Sequence, residues 1–229
     1  VLYPLIDFKA KTLLYEGRGT SKMAKEKSKY HHGNLKSALI QAAYEIILEE
    51  GYQAITLRAV AREANVSQAA PYHHFNSKYD LLCEVAAIGF IEMTKMLKDS
   101  FEKFKDSDEY LTKMSLAYVD FAYTNKNIYQ LMGGKDIPFG NWPKSIETAY
   151  AKSLVVLNKI GNHYIEISKS THNQADFTLA WGLMLQGLAT TTINKRLKMA
   201  RETLESPEQL RKNDEDLTKR VLSVLKATS

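Results

Sequence analysis

Apolar positions recur at helical spacing along most of this chain, and the pattern is most informative in residues 55–78, ITLRAVAREANVSQAAPYHHFNSK. Leu57, Val60, Ala61 and Ala64 share one face and Thr56 stands before them as a cap, which predicts an amphipathic helix of about two turns over residues 56–64. Asn65 tolerates the left-handed conformation that ends a helix, Val66 can plug the corner, and Ser67 can cap a second helix from Gln68. In a helix-turn-helix unit of this kind the second helix enters the DNA major groove while the first crosses the backbone. Gln68 can pair with an adenine edge, Ala69 and Ala70 allow close approach, and Tyr72, His73 and His74 can donate to phosphates. Pro71 lacks the N–H that would serve the Ser67 carbonyl, so a distorted first turn is expected.

The flanking pattern is helical too. Asn34 can cap a helix whose stripe is Leu35, Leu39, Ala42, Ala43, Ile46 and Ile47, closed by Gly51. Ser77 with Asp80 forms a capping-box pattern for a helix from residue 78 to about 105. After a break at 106–108 the next helix runs to about 126, with Leu111, Ser115, Tyr118 and Ala122 on one face, and a short NIYQLM helix stops at Gly133 and Gly134. The stretch GGKDIPFGNWP is irregular and carries Phe139 and Trp142. Helices over 143–169 and 174–201 follow, and Ser206-Pro207-Glu208-Gln209 opens a final one to about 226. The segment AWGLMLQGLATTTIN is the least polar, and Gly182, Gly187 and Ala189 allow close approach by another helix, in a buried core or a dimer face. The fold class expected is all-α with about nine helices. Residues 23–77 would form a three-helix DNA-binding head and 78–229 a larger helical body for dimerisation and ligand binding.

The segments TLRAVAREANVSQAAPYHHFNSKYDLL and KYHHGNLKSALIQAAYEIILEEGY, roughly residues 29–82, resemble the DNA-binding signature of the tetracycline-repressor (TetR-like) family of transcriptional regulators. The wording AAPYHHF is similar to one subgroup with an AAPYxHF recognition helix. Asn65 and Ala69 stand where glycine is common in that pattern, and Pro71 where leucine is usual. The resemblance implies base or phosphate contacts at Gln68, Ala70, Tyr72 and His73, and phosphate contacts at Thr56, Arg58, His74 and Lys78; Ser67 completes the DNA-facing set. It also implies a body that senses a small molecule. A cavity for an apolar or aromatic effector would then be lined by Tyr118, Phe121, Tyr129, Trp142, His163, Trp181 and Met184, residue types that serve equally as plain core.

Composition adds limits. The 229 residues carry a formal charge of +5, and residues 23–78 hold seven Lys or Arg against five Glu, so bulk charge does not argue for nucleic acid and the placement of cations must. A single cysteine, Cys83, excludes an internal disulfide and a cysteine zinc cluster. No apolar run approaches a membrane span of roughly 18 residues, and the cytoplasm is the expected compartment. Residues 1–22 lack a sustained period. Glu16-Gly17-Arg18-Gly19 can be encoded by purine-only codons resembling a bacterial ribosome-binding sequence, three codons before Met23, which points to a misassigned or non-native leader rather than a natural N-terminal arm. Lys25, Lys27 and Lys29 then suit an arm able to reach phosphates, or a solvated terminus without that role.

Catalytic patterns are weak. The pairs His31-His32 and His73-His74 are adjacent, about 100° apart on a helix, and do not chelate one metal as an i, i+4 pair would. No nucleophile triad, phosphate loop or carboxylate pair stands out, so neither an enzyme nor a cofactor is expected. The reading is a dimeric repressor of double-stranded operator DNA, released by an unknown small-molecule effector. Its rivals are an architectural DNA binder without effector and an enzyme on a helical scaffold.

Overall fold

Leu39, Ala43, Ile46 and Ile47 lie at three- and four-residue spacing on α1 (Leu35–Glu50), and all are buried. Gly51 stops the helix at φ 87°, its N–H donating to the Ile47 carbonyl at 2.9 Å. The computed structural model describes residues 35–138, 140, 142–169, 171–194, 219, 222 and 223. The leader, the lysine arm, His31, His32, Asn34 and Phe139 lie outside them.

α2 spans Leu57–Glu63 and is capped as its sequence predicts, the Thr56 hydroxyl accepting from the Ala59 N–H at 3.0 Å. α3 (Lys78–Phe104) is capped by Ser77, which accepts from the Asp80 N–H at 3.2 Å. Asp80 returns a bond to the N–H of Asn76 at 3.0 Å, one residue before the cap. Four more helices follow: α4 (Tyr110–Thr124), α5 (Lys126–Met132), α6 (Lys144–Ser168) and α7 (Gln174–Ile193). Seven α-helices thus lie among the described residues, where the pattern predicts about nine. The second helix of the reading unit is instead a four-residue 3₁₀ turn. The final helix expected over 206–226 falls outside the described residues except for Lys219, Leu222 and Ser223, of which Lys219 and Leu222 touch the body.

α3 is the axis of the packing. It contacts α1, α4, α5 and α6, and α7 closes the bundle over α4 and α6. Two glycines set how close these helices come. A Cβ at Gly89 of α3 would sit 2.7 Å from Ile128 and from Met132 of α5, and one at Gly161 of α6 would collide with the Thr178 hydroxyl of α7. The buried apolar residues form a single cluster from Leu39 in α1 to Ala189 in α7, so head and body share one core from Leu35 onward. No described helix is long and apolar enough to cross a membrane.

Candidate nucleic-acid interface

The corner between α2 and the reading segment turns on Asn65, whose φ of 56° is left-handed. The Asn65 and Val66 amides bond back to Arg62 and Ala61 carbonyls at 3.1 and 3.0 Å, which closes the end of α2. Asparagine tolerates this conformation better than most non-glycine residues.

Beyond the corner, Pro71 decides the local geometry. It has no N–H for the Ser67 carbonyl, and that carbonyl accepts instead from the Ala70 N–H at 3.0 Å, a three-residue step. The Tyr72 and His74 amides repeat the step onto Ala69 and Pro71, at 3.1 and 3.0 Å. The result is a 3₁₀ turn over Ala70–His73, preceded by Ala69 with no side-chain cap, so Ser67 does not cap this element as the pattern predicts. Proline spoils more than a first turn here, because the segment before Phe75 is too short for a regular α-helix to resume.

The turn sorts the expected contacts. Phe75 and Pro71 are buried in the head, and Ala70 is buried with them at 8% exposure. Ala70 is thus the one residue expected to face DNA whose side chain the structure buries. Thr56, Arg58, Ser67, Gln68, Tyr72, His73, His74 and Lys78 are all exposed, Tyr72 by 57%. Thr56, Arg58 and Gln68 line a surface groove of about 560 Å³, joined there by Ala59, Arg62, Asn65 and Val66. Arg62 and Asn65 were not singled out by the sequence pattern, although Arg62 follows Arg58 by four residues and so had to share its face.

Solvated Thr, Arg, Gln, Tyr, His and Lys side chains on a helix-turn-helix segment suit a nucleic-acid duplex: hydroxyls and cations for phosphates, Gln68 for a base edge. Residues 39–85 match the family model of bacterial regulatory proteins, tetR family. The head carries a tetR-family match. A curated relative, the uncharacterized HTH-type transcriptional regulator YobS of Bacillus subtilis, is 30% identical over 98 residues, 43% of this chain and 51% of that protein. The chain thus matches about half the length of that relative. Among solved structures, a protein of unknown function from Rhodococcus sp. RHA1 superposes with a TM-score of 0.68 at 23% identity, covering 86% of this chain and 96% of the other. The fatty acid degradation regulator FadR from Bacillus halodurans superposes at 0.57 and 16% identity, covering 86% and 96%. FadR from Bacillus subtilis in complex with stearoyl-CoA superposes at 0.56 and 17%, covering 82% and 96%. At these identities the solved structures establish a shared fold beyond the tetR-type head.

The aromatic residues expected around an effector fall into several clusters. The Tyr118 and Tyr129 hydroxyls lie 3.2 Å apart in the buried seam of α4 and α5, and burial pushes both phenols well above the usual range. Trp142 packs edge-on against Tyr150 and tilted against Phe90, at 5.2 and 6.3 Å. His163 belongs elsewhere, against Phe101 and Tyr110; its Nε2 meets the Lys105 carbonyl at 2.9 Å and, since a carbonyl only accepts, carries the proton. The Trp181 indole is fully buried and donates to the Ser115 hydroxyl at 3.0 Å. Phe121 is buried and Met184 partly so.

Proposed function

We propose that the protein is a sequence-specific DNA-binding transcriptional regulator, a dimeric repressor released from a palindromic operator by a small-molecule effector. The observation that carries this reading is the exposure of Thr56, Arg58, Gln68, Tyr72 and Lys78 on a segment that matches the tetR-family model. In this reading residues 23–77 are the head, with the AAPYxHF wording marking its subgroup, and 78–229 the body.

A single head has few base contacts, so specific affinity calls for two heads on a twofold axis with half-sites about one helical turn apart. The open side of α7 supports a second copy. Leu179 and Leu183 are exposed by 63% and 61%, and among the described residues nothing lies within 4 Å of a Cβ built on Gly182 or Gly187. Ala189 does not belong to that side, being fully buried.

Release follows from the path of α3, which begins at the head and runs about 40 Å into the body at 1.5 Å per residue. An apolar or aromatic effector that parts α3 from the Tyr118, Tyr129 and Trp142 clusters would tilt the heads out of register with the operator. By linkage it binds the DNA-free form more tightly, and DNA weakens it by the same factor.

The deciding experiment is selection of bound fragments from genomic DNA, followed by affinity measurement against random duplex. A preference of about 10³-fold or more supports a sequence-specific regulator. Binding without preference would make the protein an architectural binder, and no binding would remove the reading.

A further inference from the structure

The reading segment is short of contacts. With Ala70 and Pro71 buried, the 3₁₀ turn presents only Tyr72 and His73 to solvent, and Gln68 and Ala69 precede it. The adjoining groove on α2 is larger and better equipped. Its walls carry two guanidinium groups, Arg58 and Arg62, with the Thr56 hydroxyl and the amides of Asn65 and Gln68, and no carboxylate. Among the described residues neither arginine makes an ion pair, whereas Lys36, Lys105 and Lys219 each meet a glutamate at 2.6 to 2.8 Å. Two unpaired arginines four residues apart stand on one helix face with their Cβ atoms about 6 Å from each other. The other two lining side chains, Ala59 and Val66, are apolar and offer them nothing to bond.

We infer that Arg58 and Arg62 together clamp the DNA backbone, so that Arg62 is a phosphate contact alongside Arg58 and supplies affinity that the short reading turn lacks. This rests on the DNA-binding reading. A polyanionic backbone is the occupant because the groove is cationic and hydrogen-bonding without a counter-charge, and because the first helix of a helix-turn-helix crosses the backbone rather than entering the groove. Arginine suits the role, its planar fork matching two phosphate oxygens.

The test uses the full-length protein, a duplex recovered by selection from genomic DNA, and a random-sequence duplex of the same length. Arg62→Ala should weaken both duplexes by the same factor, leave the thermal midpoint unchanged, and lower the slope of log affinity against log salt by about 0.9. Between about 50 and 200 mM salt the variant then loses roughly threefold less affinity than the wild type. Arg58→Ala with Arg62→Ala should lower the slope about twice as far, and Arg62→Lys should keep it. An unchanged slope in Arg62→Ala, or a loss confined to one base position of the selected duplex, overturns the clamp while DNA binding by the wild type stands. A wild type that binds neither duplex overturns the clamp and the DNA-binding reading together.

Discussion

The Tyr44 hydroxyl of α1 donates to the Glu92 carboxylate of α3 at 2.8 Å, 48 residues away in sequence. Two turns earlier Lys36 meets Glu84 at 2.7 Å, with the same separation of 48. Equal offsets mean that the two helices run side by side in one direction over this stretch, fastened to each other at two points. Tyr44 is only 3% exposed, and its phenol is pushed far above the usual range, first by burial and then by the Glu92 charge. Glu92→Leu strands that buried hydroxyl and should cost about 1–3 kcal/mol in urea denaturation, whereas Tyr44→Phe should cost less because half-buried Glu92 can be hydrated instead. Equal stability of Glu92→Leu and wild type would show that the bond does not fasten the two helices.

Tyr72 and Lys78 lie on the solvent side of the head and belong to no buried cluster. Alanine at either position should weaken operator binding and leave the unfolding free energy within about 0.5 kcal/mol of wild type. Lys78→Ala should also lower the salt slope by up to about 0.9, one phosphate's worth. Gln68→Ala should relax preference at one base pair per half-site, at about 1–3 kcal/mol of discrimination, and a uniform loss over all sequences would make Gln68 a backbone contact.

Much of this architecture was readable in the chain because burial writes a period into it. The stripes of α1 and α2, the Thr56 and Ser77 caps and the left-handed Asn65 all follow from local chemistry that the packing does not override. The 3₁₀ turn was only half readable. Pro71 announces a defect, but whether the helix recovers depends on Phe75 being drawn into the head one turn later, a tertiary fact. The effector residues were the least readable, since aromatic area is the same for a ring lining a cavity and one packed on its neighbours. Trp181 stands out in the sequence by that area, yet its indole N–H is satisfied by Ser115, which the sequence marks only as part of a core stripe.

Gly161 and Gly187 allow a paired prediction. A side chain at Gly161 collides with Thr178 between α6 and α7, while a Cβ at Gly187 meets nothing within 4 Å among the described residues. Gly161→Val should therefore destabilise the monomer fold by about 1–3 kcal/mol through overpacking. Gly187→Arg should leave the fold intact and split the proposed dimer, seen by light scattering as a halved mass with loss of operator binding. A dimeric Gly187→Arg protein that still binds its operator would place the interface elsewhere.

Alkaline pH probes the body's tyrosines. Burial raises the pKa values of Tyr110, Tyr118 and Tyr129 above the model-compound value of 10.0, and the Tyr118 and Tyr129 hydroxyls are bonded to each other. In the folded protein these phenols stay protonated at a pH where the unfolded chain releases them. Their raised values thus contribute stability that is fully present below the unfolded pKa near 10 and is lost as pH climbs above it. Each such group should add about 1.4 kcal/mol per pH unit to the fall in unfolding free energy above that point. Urea midpoints should hold level through neutral pH and drop steeply beyond about pH 10. Tyr129→Phe should make the drop shallower by about one group's share, at a neutral-pH cost of about 1 kcal/mol for the lost hydroxyl pair. An alkaline limb as steep in Tyr129→Phe as in the wild type would show that this phenol titrates in the folded state, and that the seam between α4 and α5 opens to water.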